Sequence, residues 1–220
     1  MKKVLTICLV LVMALCLCAS VVASANGFLT SPSGKPGPEV IEFKAHDPNC
    51  TARLIITPYG ERVTLPDTLQ KMIETAYKMI VECDDLTQLN ADLKALAAEL
   101  NIPGDKLAVS ELFDIHMEGC DYHEEHRYFD IILSAEALEN FVGLLHLRQD
   151  GEFELIADAK VTHDGDHLEF TVESFSPFAI VVDTTKNSPT GDNGMIFICL
   201  ALMLVSGVAV VLLNRKPRTV

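Results

Sequence analysis

Residues 141–182 read FVGLLHLRQDGEFELIADAKVTHDGDHLEFTVESFSPFAIVV. Short apolar runs alternate here with polar turns, and the turns at 149–151 and 163–166 contain Asp-Gly, a dipeptide typical of β-hairpins. The runs predict strands at 141–147, 152–156, 168–172 and 178–182. Strands at this spacing predict an antiparallel sheet or sandwich. Because strands and helices do not alternate regularly, a doubly wound parallel sheet is not expected.

The chain upstream of this stretch contains further strand patterns. Period-two alternation or β-branched runs predict strands at 40–44, 53–57, 62–65, 107–116 and 128–133. Ser134 is predicted to cap a short turn of helix at 135–139. The phenylalanines are spread singly along these strands, which favours a place in the core over a carbohydrate-binding surface.

Two helices are predicted between the strands. The first has Pro66 near its start and Asp67 as its N-cap, and its apolar stripe at helical spacing ends at Ile80. The second is predicted from a leucine series that ends before Pro103 and Gly104; its members are Leu86, Leu89, Leu93, Leu96 and Leu100. We expect the helices to pack on each other or on a sheet, giving an α+β domain at 39–183.

The charge of the chain is concentrated between its two ends. All 31 acidic residues lie between Asn26 and Gly194, against 12 Lys and Arg there, a net charge of −19. Nucleic acid is therefore not an expected partner, because its phosphates require a basic surface. The charge suits a solvated extracellular surface or one that meets cations. Cys50, Cys83 and Cys120 also lie in this part, and their odd number allows at most one disulfide within the chain.

The carboxyl end has the features of a membrane anchor. The 19 residues 195–213 carry no charge, and as a helix they extend roughly 28 Å, close to a bilayer core of about 30 Å. Arg215, Lys216 and Arg218 follow, as is typical of a cytoplasmic flank. We predict a polar stalk at 184–194, a transmembrane helix at 195–213 and a basic cytoplasmic tail at 214–220.

The amino end is typical of a secretory signal peptide. Lys2 and Lys3 precede an apolar stretch at 4–22, and Ala23-Ser24-Ala25 forms a small-x-small cleavage site. We predict a signal peptide at 1–25, cleaved after Ala25, followed by a flexible linker at 26–38 that is rich in Gly, Ser and Pro. The ectodomain is then outside the cell, with the chain crossing the membrane once.

The carboxyl end also resembles a known family of signals. Pro189, Thr190 and Gly191, the apolar helix and the basic tail resemble the sorting signal of Gram-positive surface proteins, whose Thr-Gly bond sortase cuts and joins to the cell wall. In the family pattern one residue separates Pro from Thr, whereas here they are adjacent. Residues 173–182 are similar to the closing strands of β-rich surface modules in clostridial proteins. The resemblance implies sortase and the cell wall as partners.

One dense group of metal-ligating residue types lies in residues 116–126. His116, Cys120, His123 and His126 offer the nitrogen and sulfur donors that Zn²⁺ prefers, provided that they converge. The alternative is a solvated polar loop at the tip of a hairpin. Asp164-Gly165-Asp166 is interpreted as a hairpin turn, because it lacks the further acidic ligands of a calcium loop.

The sequence contains no pattern that predicts a catalytic site. Neither a Gly-x-Ser-x-Gly nucleophile elbow nor a glycine-rich phosphate loop is present. We therefore expect a non-enzymatic, surface-anchored module of a bacterial envelope that serves in binding, adhesion or structure and meets an extracellular ligand. The alternatives are a zinc-type metal-binding module built on the 116–126 group, and a type I membrane protein from a non-bacterial host.

Overall fold

The computed structural model describes residues 27–34, 36–45, 50–119, 128–135 and 138–186. Within these ranges the chain forms nine β-strands and two α-helices, and the strands form two antiparallel sheets. The predicted antiparallel, β-rich α+β fold is thus confirmed. The described residues all belong to a compact unit that ends at Lys186; a second unit, Asn187–Val220, lies outside the described ranges.

The two sheets and the helices are assigned as follows. The strands are β1 (Glu39–Ala45), β2 (Arg53–Pro58), β3 (Leu107–Glu118), β4 (Phe129–Ser134), β5 (Phe141–Leu147), β6 (Phe153–Leu155), β7 (Lys160–Thr162), β8 (His167–Val172) and β9 (Pro177–Asp183). The helices are α1 (Asp67–Glu82) and α2 (Ala91–Glu99). The central sheet has the order β2-β3-β9-β5-β6, and the outer sheet has the order β1-β4-β8-β7. Strand β7 was not predicted from the sequence.

The central sheet is covered on both faces. On one face it packs against α1 and α2, in a core that includes Ile73, Leu93 and Val181. On the other face it packs against the outer sheet, in a core that includes Phe129, Phe170 and Ile180. Every residue of β9 is buried for this reason, which explains why its sequence is apolar on both faces rather than alternating.

A β-bulge in β3 decides which side chains face the helices. The pairing of β3 with β9 shifts register between Val109 and Glu111. As a result Val109 and Leu112 both lie in the helix-side core, whereas Phe113 lies in the core between the sheets. Since side chains alternate along a strand, residues 114 and 116 share the helix-side face with Leu112.

The predicted strand at 62–65 is wrong. Residues Tyr59–Thr64 instead form a 3-10 helix. The Arg62 guanidinium lies over the Tyr59 ring, 4.3 Å from its centroid, and donates a hydrogen bond of 3.2 Å to the Tyr59 carbonyl. The Leu65 amide donates to the Arg62 carbonyl at 3.0 Å. These local contacts pair the Tyr59 and Arg62 carbonyls and the Leu65 amide without a neighbouring strand.

The first predicted helix is confirmed as α1, but its cap is not Asp67. Pro66 occupies the N-cap with an extended ψ of 146°, and it makes no side-chain capping bond. Asp67 is instead an acidic residue of the first turn. There its charge interacts favourably with the helix dipole.

The second predicted helix is divided into two elements. Leu86–Gln88 form a 3-10 turn, and α2 begins only after Asn90. The Asn90 side chain accepts hydrogen bonds of 2.9 Å from the amides of Asp92 and Leu93. Because Asn90 is a strong N-cap in extended backbone, it starts a new helix in the middle of the leucine series.

Residues 27–34 belong to the segment predicted as a flexible linker, and they pack against the domain. Phe28 is buried and forms a parallel bridge with Val109 of β3. Its ring stacks on Tyr77 of α1, with centroids 5.3 Å apart. Gly27 has a φ of +81°, and a Cβ there would lie 2.6 Å from the Ile80 carbonyl oxygen. Glycine therefore permits the close approach of this segment to α1.

The predicted hairpin turns are confirmed. Gly151 turns the chain between β5 and β6 with a φ of +86°, and a 3-10 turn at His163–Gly165 joins β7 to β8. A 3-10 turn at Leu138–Asn140 follows β4. It partly replaces the short helix predicted at 135–139, of which residues 136–137 are not described.

Both predicted membrane-related segments lie outside the described residues. These are the signal peptide at 1–25 and the transmembrane helix at 195–213. Among the helices within residues 27–186 that are described, none is long and apolar enough to cross a membrane. Cys50 and Cys83 are free thiols, while Cys120 is not described.

Candidate functional site

Most of the site residues predicted from the sequence lie outside the described ranges. This applies to the sorting-signal residues Pro189, Thr190 and Gly191, to the cleavage residue Ala25, and to the candidate zinc ligands Cys120, His123 and His126. Of that ligand set His116 is described, on β3. Within the described part of the chain, no three His, Cys, Asp or Glu side chains are close enough together to hold a metal ion.

His116 forms a pair with Asp114. The two residues are next but one to each other on β3, so both side chains lie on the helix-side face. His116 Nδ1 lies 2.9 Å from Asp114 Oδ2. The Asp114 side chain is 0% exposed, whereas that of His116 is 21% exposed. The carboxyl group is thus enclosed and the imidazole reaches the surface.

The environment of Asp114 disfavours its charge. Burial raises the pKa of Asp114, and the hydrogen bond and charge of His116 act in the opposite direction. Asp114 Oδ1 is buried and has no hydrogen-bond partner among the described residues. When the Nδ1–H of a neutral His116 donates to Asp114, its Nε2 carries the lone pair. That nitrogen can then coordinate a metal or accept a proton.

A second group centres on His146, which was not among the candidate residues predicted from the sequence. His146 lies on β5 and is paired in register with Glu154 of β6 and with Phe178 of β9. Its Nδ1 is 2.6 Å from Glu154 Oε1, and its ring stacks on Phe178 with centroids 4.5 Å apart. The His146 side chain is 1% exposed and that of Glu154 is 41% exposed.

Ser176 completes this group on the other side of the imidazole. It directly precedes β9, and its Oγ lies 2.5 Å from His146 Nε2. The same Oγ donates a short hydrogen bond to the carbonyl oxygen of Leu147. A carboxylate, an imidazole and a hydroxyl in this order are also the parts of a serine-hydrolase triad. Here, however, Ser176 is 1% exposed and its hydroxyl is bonded to a main-chain carbonyl, so it is not presented to a substrate.

The electrostatics of His146 combine opposing effects. Burial lowers the pKa of His146. The Glu154 carboxylate opposes this by accepting a hydrogen bond and by its charge, while Arg148 lowers the pKa of His146 further. Burial therefore disfavours the charged imidazolium form of His146, whereas the acidic neighbour Glu154 favours it.

The sequence contained a weak signal for this second group. His146 is a lone polar residue in an otherwise apolar strand, and Ser176 is a small polar residue just before Pro177. Glu154 is eight residues from His146 and Ser176 is thirty residues from it. Only the strand register brings the three together.

The outer sheet presents a third feature, a partly exposed polar face. Strands β4 and β8 alternate between buried and partly exposed residues. The partly exposed members are Asp130, Ile132, Ser134, His167, Glu169 and Thr171. Thr171 Oγ1 donates to Asp130 Oδ1 at 3.2 Å, and Glu169 forms an ion pair of 3.1 Å with Lys160 on β7.

No family model, curated protein or solved structure matches this chain.

Proposed function

We propose that this protein is a surface-anchored module of a bacterial envelope, displayed outside the cell for binding, adhesion or structure, and that it is not an enzyme. The observation that carries this proposal is the arrangement of the carboxyl end. An uncharged run at 195–213 lies between Thr190-Gly191 and a basic tail, and an acidic domain precedes it. Such a run is long enough to cross a bilayer as a helix.

The surface of the domain supports a binding or structural role. Between Asn26 and Gly194 the chain has 31 acidic against 12 basic residues, a net charge of −19, which repels nucleic acid and favours contact with cationic groups. The outer sheet offers a partly exposed polar face that includes Asp130 and Glu169. We propose that an extracellular ligand meets this acidic domain.

Anchoring has two proposed forms. After removal of residues 1–25, the chain stays in the membrane as a single-pass protein, or sortase cuts between Thr190 and Gly191 and joins the domain to the cell wall. Both forms leave the same domain outside the cell. They differ in whether residues after Thr190 remain attached.

Fractionation of cells tests this proposal. The full-length chain is expressed in a Gram-positive host, and intact cells are treated with an external protease. We expect the domain to be digested on intact cells and the mature protein to begin at Asn26.

Release by detergent alone identifies the membrane form, and release by wall-digesting enzyme alone identifies the sortase product. Thr190→Ala is the matched variant, because it removes the cleavage site and leaves residues 195–213 unchanged. A full-length, protease-protected chain in the cytosol would contradict the proposal.

A second candidate function is zinc-type metal binding by His116, Cys120, His123 and His126. The observation that favours it is the contact of 2.9 Å between Asp114 Oδ2 and His116 Nδ1. Metal-ligating histidines usually donate their second ring N–H to such a carboxylate, which fixes the ring and makes the ligand nitrogen more basic. His116 therefore has the support that a metal ligand requires.

Zinc titration of the purified full-length protein tests this candidate. We expect His116→Gln to abolish stoichiometric binding and Asp114→Asn to weaken it by about 10- to 100-fold. His163→Gln is the matched control, because His163 is an exposed histidine in the turn between β7 and β8. Isothermal titration calorimetry measures both affinity and stoichiometry. Equal affinity of the wild type and the His116 variant would remove this candidate.

A further inference from the structure

The group of His146, Glu154 and Ser176 joins three separate elements, namely β5, β6 and the residue that precedes β9. We propose that this group is a proton-dependent clasp. Its three hydrogen bonds form together only when His146 and Glu154 hold two protons between them, one more than a neutral imidazole and a carboxylate hold. The proposal concerns the stability of the domain and does not depend on the function proposed above.

The number of protons follows from the donors and acceptors. The carbonyl oxygen of Leu147 can only accept, so the Ser176 hydroxyl proton points to it. Ser176 Oγ must then accept from His146 Nε2, which therefore carries a proton. A further proton must lie between His146 Nδ1 and Glu154 Oε1, which are 2.6 Å apart. The pair thus holds two protons, as imidazolium with carboxylate or as imidazole with carboxylic acid.

Loss of one proton breaks the set of contacts. If Nε2 loses its proton, the Ser176 hydroxyl turns to the imidazole and leaves the Leu147 carbonyl. If Nδ1 faces Glu154 without a proton between them, two lone pairs oppose each other. In both cases one contact in a buried place becomes unfavourable, because His146 and Ser176 are each 1% exposed.

Few charged groups of the described chain lie near His146. Among the described residues, Glu154 on β6 and Arg148 just after β5 are the charged groups that act on it. From β9 it meets Phe178, which is uncharged, and the residue before β9 is Ser176. Arg148 disfavours a charged imidazole, as burial does. The form with a neutral imidazole and a carboxylic acid avoids that charge while keeping all three hydrogen bonds.

The clasp gives a defined sign to the pH dependence of folding. In the unfolded chain His titrates at about pH 6.5 and Glu at about pH 4.3. Burial lowers the pKa of His146. The clasp therefore requires its three hydrogen bonds to outweigh that cost, so that between pH 6.5 and 8.5 the folded state binds the extra proton more strongly than the unfolded state does. One linked proton changes the unfolding equilibrium constant by at most about tenfold per pH unit. The clasp thus stabilises the domain below about pH 6.5, and this stabilisation is lost as the pH rises.

The decisive variant is Glu154→Gln. The Gln amide donates an N–H to His146 Nδ1, so Nε2–H and the Ser176 hydroxyl keep their partners without an extra proton. We expect this variant to lose the pH dependence of the clasp and to unfold at pH 8.5 as the wild type does at pH 6. Glu152→Gln is the matched control, since Glu152 is exposed on the same hairpin and should keep the wild-type profile. Urea unfolding of the full-length protein in detergent, followed by far-ultraviolet circular dichroism from pH 5.5 to 8.5, measures the profiles.

A second variant and a second measurement guard against a trivial loss of folding. Ser176→Ala removes the group that requires Nε2–H, so it should be less stable at every pH and have a smaller pH slope. Nitrogen NMR of labelled histidine should show a proton on His146 Nε2 at pH 6. Equal slopes for the wild type and Glu154→Gln would overturn the proposal. So would a wild type that loses stability relative to Glu154→Gln as the pH falls, because the cost of a buried charge would then dominate.

Discussion

The two faces of the central sheet each carry one histidine–carboxyl pair, and the two pairs are built in opposite ways. On the helix-side face Asp114 is enclosed and His116 reaches the surface. On the face toward the outer sheet His146 is enclosed and Glu154 reaches the surface. The same two chemical groups therefore meet with their exposures exchanged.

The comparison shows that burial, more than pairing, sets the properties of each group. Burial raises the pKa of Asp114 and lowers the pKa of His146, so in both pairs the charged form of the enclosed partner is disfavoured. The exposed partner determines what the pair can reach. His116 has a nitrogen available to a ligand, whereas both nitrogens of His146 are occupied.

Removal of the two imidazoles should separate the pairs most strongly. We expect His146→Ala to lower the free energy of unfolding by about 2–4 kcal/mol, because it leaves a cavity beside Phe178 and removes one of the two hydrogen-bond partners of the buried Ser176. His116→Ala should cost less, about 1–2 kcal/mol, because that side chain is partly exposed and its removal leaves only the Asp114 carboxyl unpaired. Urea unfolding followed by circular dichroism measures both. Equal costs would show that the exchanged exposures have no energetic weight.

Neutralisation of Asp114 should have a smaller effect of opposite sign. Asp114→Asn keeps an acceptor for His116 and removes a buried charge, so we expect it to stabilise the domain at pH 7. The raised pKa of Asp114 means that the wild type loses stability as the pH rises from about 4 through that pKa. The gain of the variant should therefore vanish near pH 4.

Unfolding in chelator-containing buffer at pH 4 and pH 7 measures this difference. The matched control is Asp105→Asn, because Asp105 is exposed and forms an ion pair of 3.0 Å with the neighbouring Lys106. It should change stability little at either pH. A destabilised Asp114→Asn at pH 7 would mean that the charge of Asp114, and not only its hydrogen bond, supports the fold.

The elements predicted best from the sequence are those whose pattern is both long and bounded. Strand β5 was predicted with the bounds that the structure has, because an apolar run ends at a polar Asp-Gly turn. Strands β8 and β9 were predicted to within one residue at each end for the same reason. Local periodicity and turn residues decide such elements, so no distant contact is needed to find them.

The failures share a physical cause, which is competition from contacts that periodicity does not report. Residues 62–65 have a strand-like composition, but Tyr59–Thr64 form a 3-10 helix, and the Arg62 side chain donates a hydrogen bond back to the Tyr59 carbonyl. Asn90 interrupts the leucine series by capping α2. The His146 group required the register of three strands, which the sequence does not encode locally. His116 was selected as a candidate, but the burial of its partner Asp114 depends on the bulge in β3.

Strand β9 has a mechanical consequence if the chain is tethered at its carboxyl side, as we propose. It lies between β3 and β5 and is antiparallel to both. Just beyond it, Thr184 bonds to the Lys106 carbonyl through its amide at 2.9 Å and through its hydroxyl at 2.8 Å. A pull on the chain beyond Lys186 would first load these bonds and then drag β9 lengthwise. Many ladder hydrogen bonds would then have to break at once, so the domain should resist tension better than a strand peeled from a sheet edge.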